Sequence, residues 1–156
     1  LSTDNDGEYF EVYNNGSTEV DLNGCRIESS TSVGAEGFNI TTPAFIPAGG
    51  YFVFARNSAA PFTADYTYNG QINLNNSNDR VTLLCANPLA SSTTLHIVDE
   101  VSYDDGLTFP DPTGASMSLR RTATNPTSND SGANWCISSS IFGVGDHGTP
   151  GQANDC

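Results

Sequence analysis

Residues 8–26 read EYFEVYNNGSTEVDLNGCR, and this stretch decides the fold class. From Tyr9 to Tyr13 every residue but one is aromatic or β-branched. The exception, Glu11, falls at an alternate position, as in a strand with one buried and one wetter face. Asn14-Asn15-Gly16-Ser17 then ends the strand with residues that tolerate positive φ. A tight turn there predicts a hairpin, with Val20, Leu22 and Ile27 running back alongside the first strand.

The same idiom repeats along the chain. Tyr51 to Ala55, YFVFA, is apolar at every position, which predicts a central strand covered on both faces. Phe38-Asn39-Ile40, Arg80 to Cys85, Leu95 to Tyr103, Met117 with Leu119, and a short piece starting at Trp135 supply further strands. Thr108 to Gly114 carries two prolines and so is excluded as a central strand. Between Arg56 and Gly70 the pattern fails, and its aromatics Phe62, Tyr66 and Tyr68 fit either a packed loop or an exposed contact surface. No stretch carries a helical period, so residues 1–156 read as one all-β domain.

Eighteen acidic residues face five arginines and no lysine, for a formal net charge of -13. Phosphate binding draws on clustered cations, so nucleic acid is a poor partner for this surface. No apolar run approaches the length of a membrane span. The acidity suits solubility in an extracellular medium.

Several segments resemble the lamin tail domain family, whose members carry a strand of the FVEIYN type, a turn, and a segment of the VDLSGW type. Tyr9 to Asn14 and Val20 to Cys25 stand at those places. In the family's order follow Ile46-Pro47-Ala48-Gly49-Gly50-Tyr51, Leu74 to Leu84 around Asn78-Asp79-Arg80, Val98 to Tyr103, Ser116 to Arg121, Trp135, and Gly148 to Asn154. The resemblance implies an immunoglobulin-like two-sheet β-sandwich, of a kind found in secreted bacterial proteins. The chain departs from the family in two places. Cys25 replaces a usual tryptophan, and Leu1 to Gly7 is too short and polar to supply the family's opening strand. The sandwich is therefore expected to lack its first edge strand.

Four cysteines with no CxxC spacing point to disulfides in an oxidising compartment, and sequence alone allows three pairings. The sandwich favours Cys25 with Cys85, on strands that face each other, and Cys136 with Cys156, tying an irregular C-terminal tail. Asp4, Asp6 and Glu8 alternate in DNDGE, and Asp104-Asp105 lies in a turn able to approach them, which marks a candidate calcium site. His147 stands beside Asp146, but no nucleophile lies near them in sequence and no GxSxG elbow occurs.

These features predict a non-catalytic, extracellular β-sandwich with calcium as its one candidate cofactor. Its expected role is in protein–protein or cell-surface interaction, as a structural or adhesive subunit that polymerises with copies of itself by strand complementation. The alternative is a targeting domain beside a secreted hydrolase or nuclease.

Overall fold

The computed structural model describes residues 1–31, 34–87 and 93–156. A single helical turn, α1 (Asp4–Gly7), leads into thirteen strands among the described residues. The first seven are β1 (Tyr9–Tyr13), β2 (Val20–Asp21), β3 (Arg26–Thr31), β4 (Gly34–Asn39), β5 (Phe45–Ile46), β6 (Tyr51–Ala55) and β7 (Tyr66–Thr67). Then come β8 (Asp79–Ala86), β9 (Leu95–Tyr103), β10 (Met117–Leu119), β11 (Trp135–Ile137), β12 (Ile141–Phe142) and β13 (Asp146–His147).

Two sheets make the sandwich, one of four strands ordered β4-β3-β8-β9 and one of three ordered β1-β6-β7. The expected immunoglobulin-like sandwich is thus what the chain forms. Between the sheets, Phe38 of β4 stacks on Tyr66 and Tyr68 with ring centroids 5.5 and 5.6 Å away, and tilts against Phe54 of β6. Ile27, Ile40, Phe54, Tyr68 and Ile72 are fully enclosed. Each large apolar side chain removed from water in this way contributes on the order of 1.5–3 kcal/mol.

β6 is central, as its apolar pattern predicted. Phe52 and Phe54 face the core, while Val53 and Ala55 are buried on the other face. That outer face is covered by the C-terminal third of the chain. Gly151 lies against Val53, the Gly151 N–H donates to Glu11 Oε1, and Phe142 packs on Tyr9 and Phe62. The tail predicted to be irregular carries the β12–β13 pair, whose turn uses Gly143 and Gly145 at positive φ.

The predicted hairpin does not form. β1 pairs with β6, β2 with β5, and β3 with β4 and β8, so the chain crosses between sheets after Tyr13 instead of folding back. Asn14 explains the difference. Its buried side-chain amide donates to the carbonyls of Thr18, Ile46 and Pro47, fastening the crossover to the β5–β6 connection. Local turn chemistry was right, but the hydrogen bonds go to a distant segment.

Both disulfides join the residues named from the sequence, Cys25 with Cys85 and Cys136 with Cys156. The first has a different setting from the one expected. Arg26 is paired with Leu84, so Cys25 and Cys85 sit opposite each other on neighbouring strands of one sheet rather than across the sandwich.

Candidate binding cleft

One side of the sandwich is open. β1 and β9 end their sheets, and neither has a further strand partner among the described residues. The Arg56 N–H donates to Glu8 O and the Asn14 N–H to Gly50 O. By the alternation of an antiparallel ladder, Phe10 and Val12 bond toward β6, and the main-chain groups of Tyr9, Glu11 and Tyr13 point to the free edge.

The two free edges run in opposite directions along a shared cleft. At one end, Asp4 reaches Asn76 and the Tyr103 hydroxyl donates to Asn75 O at 2.8 Å, which sets the start of β1 near the end of β9. At the other end, Thr124 bonds Asn15, and Asn129 Nδ2 donates to Asp99 Oδ2. The cleft between them has a volume of about 1480 Å³. Small-molecule sites usually occupy roughly 300–1,000 Å³.

Its floor is core material left half-covered. Phe10, Val12, Leu74 and Val81 pack against the buried cluster yet line the cleft; Leu83 of that cluster and Val101 line it beside them. The segment from Pro110 to Leu119 forms a third wall, carrying Met117 and Leu119. Ser116 Oγ lies 2.7 Å from the Tyr9 hydroxyl, whose pKa burial pushes up to about 12, and this contact ties that wall to β1.

Charge is unevenly placed along this side. Ten carboxylate residues line the cleft against a single arginine, Arg121. Asp99 faces inward opposite Leu83, and burial foremost raises its pKa. Glu11, whose pKa burial pushes up to about 7, accepts the Gly151 N–H. Asn129 Oδ1 is buried and has no hydrogen-bond partner among the described residues.

The residues singled out from sequence lie apart. Asp4 and Asp6 belong to the helical turn α1, not to an extended segment, and Asp6 accepts from Thr3 and Asn57. Glu8 is held by Arg56 Nη1 at 3.0 Å and by the Tyr68 hydroxyl at 2.5 Å. Asp104 closes its own turn by accepting from Thr108 and Phe109, bonds that hold its carboxyl down at about 2. Among the described residues no group of three or more His, Cys, Asp or Glu side chains is arranged to hold a metal ion. Asp105 stays in the exposed turn.

Of the two readings open for Phe62, Tyr66 and Tyr68, a packed loop or an exposed contact surface, the contacts fit the packed loop. Tyr68 is fully buried, Tyr66 stacks on Phe38, and Phe62 sits 4.9 Å from the Tyr9 ring, so all three are packing. Asp146 and His147 do not meet either. Asp146 accepts from the Ser2 N–H and hydroxyl, while His147 Nδ1 faces Ser139 O. The cleft walls themselves escaped the sequence reading. Their one signal was the broken alternation of β9, where Asp99 occupies an inward position and a bulge shifts the register between Leu83 and Leu84.

No helix of the described residues is long and apolar enough to cross a membrane. No curated protein matches the sequence. A family model, the Lamin Tail Domain, matches residues 2–105, which hold both sheets and both edges of the cleft, so the chain belongs to the lamin tail domain family.

Proposed function

We propose that this protein is an extracellular, non-catalytic interaction module of the bacterial secreted type. Its cleft accepts an extended segment from a second copy, making it a self-assembling structural subunit. The carrying observation is the cleft itself, an apolar slot of about 1480 Å³ walled by two free strand edges. An unpaired edge is a template for another strand, and side chains of that strand would fill the half-covered floor. Donor and acceptor surfaces differ in such a contact, so repetition builds an open chain of subunits, not a closed pair. The two disulfides support an oxidising, extracellular setting.

The test is size-exclusion light scattering on native material, joined to amide exchange. The expected result is a mass well above 16.5 kDa, with the Tyr9, Glu11 and Tyr13 amides protected in the assembly. A monomer with those amides exchanging freely removes self-assembly. Should that monomer capture a segment of an adjoining enzyme, it is the targeting domain of a secreted hydrolase or nuclease.

A further inference from the structure

The cleft has two unlike ends. At the end where β1 begins and β9 finishes, Asp4, Asp104, Asp105 and Asp111 are spaced along the cleft wall. Asp104 is half-buried and held well below the usual carboxylate range by Thr108 and Phe109, so it stays charged in mildly acidic medium. Asp111 lies beside Gly106, next to Asp105, which keeps these charges together. The far end, near Asn15 and Thr124, is lined by Asn14, Asn23 and Arg121. Of its carboxylates, Asp21 is turned back on its own loop, accepting from the Asn23 and Ala44 N–H groups, and Asp99 accepts from Asn129, with burial foremost raising its pKa.

Resting on the assignment of the cleft as a strand acceptor, we infer that it takes its segment in one direction only. The occupant is an extended peptide with apolar side chains at alternate positions and positive charge at the end lying against Asp4, Asp104, Asp105 and Asp111. Three observations meet in this. Alternation is set by the pleat, because a strand added to the edge of β1 sends every second side chain toward Phe10, Val12 and Val101. Length is set by β1, whose five residues span roughly 17 Å. Polarity is set by charge, since complementary potentials fix register and suppress the reversed arrangement. The arginines of β3, β6 and β8 are committed within the fold, Arg26 to Glu28, Arg56 to Glu8 and Arg80 to Glu100. Arg121, the arginine that lines the cleft, borders its far end, so the countercharge for the acidic end arrives with the occupant.

Synthetic peptides test this on the whole 156-residue chain. Three ten-residue peptides with acetylated and amidated ends alternate Val and Thr. One carries two arginines first, one carries them last, and one has a central proline in place of a valine. Binding is read by fluorescence anisotropy at two salt concentrations. The expected result is that one arginine arrangement binds on the order of tenfold tighter than the other. The preference should shrink at high salt. The Asp4→Asn, Asp105→Asn, Asp111→Asn triple variant should lose most of it. Equal binding of the two arginine peptides, both tighter than the proline peptide, overturns the directional inference and leaves the acceptor cleft standing. Failure of all three peptides to bind overturns both.

Discussion

The two halves of one sandwich differ in how they are finished. Away from the free edges, Phe38, Ile40, Phe54, Tyr68 and Ile72 are at most 2% exposed, and none of them borders the cleft. Toward the edges, Phe10, Val12, Val81 and Val101 come from the same sheets and carry the same kind of side chain, yet stop half-covered around a void. Protein interiors are close-packed, with few voids larger than a water molecule. The difference teaches a division of labour. The closed half holds the fold, and the open half spends little of its apolar surface on it.

The largest expected effect separates the halves directly. Phe54→Ala should destabilise by ~3–5 kcal/mol in urea unfolding, because it adds a cavity to a filled region. Val12→Ala, beside a void already present, should cost about 1 kcal/mol. Equal losses would break the comparison.

Added bulk should sharpen it. Ile40→Phe is expected to cost ~1–3 kcal/mol through overpacking, whereas Val101→Phe projects into the cleft and should stay within about 0.5 kcal/mol of the parent. Thermal melts of the two variants read this directly.

Glu11 gives a smaller effect tied to pH. Its folded pKa is raised to about 7 by burial, above the ordinary value of 4.5, so the folded chain holds this proton longer than the unfolded one. Stability from this group is full below pH 4.5 and declines as pH rises toward 7. Glu11→Gln keeps an acceptor for the Gly151 N–H and should flatten that decline, gaining about 1–2 kcal/mol at pH 8. An unchanged slope would show that Glu11 is as wet as the cleft it borders.

The smallest effect concerns the acidic end. Glu8 is bound to Arg56 and Tyr68, and Asp104 to its own turn, so millimolar calcium should change stability by less than about 0.5 kcal/mol. A larger rise would mean that a cation draws these carboxylates together.

Much of the architecture was legible from residues alone. Aromatic and β-branched patterning located β1, strand-forming runs between turn residues located β8, β9 and β10, and the doubly apolar Tyr51 to Ala55 announced the central strand. What the sequence could not carry was pairing over distance. Asn14 looks like a turn residue, and only the fold reveals that its amide serves carbonyls 32 and 33 residues away. Tyr68 fits a packed loop and an exposed surface equally well as a letter, and only Glu8 and Phe38 closing around it decide between them. The cleft was hidden for a related reason. A half-covered valine and a buried one are the same letter, and what separates them is whether another strand lies alongside.

The Cys136–Cys156 bridge bypasses the chain between two residues 20 apart in sequence. Asp155 beside it gathers the Ser138 hydroxyl and the Ser139 and Ser140 N–H groups, bonds that outweigh burial and hold its carboxyl far below the usual range. Tension applied at Cys156 therefore enters the body at β11 through a covalent shortcut, and the β12–β13 pair is shielded from the load. A molecule pulled from that end would transmit force to β10 as shear along a paired strand, while the segment lying over the three-stranded sheet stayed slack.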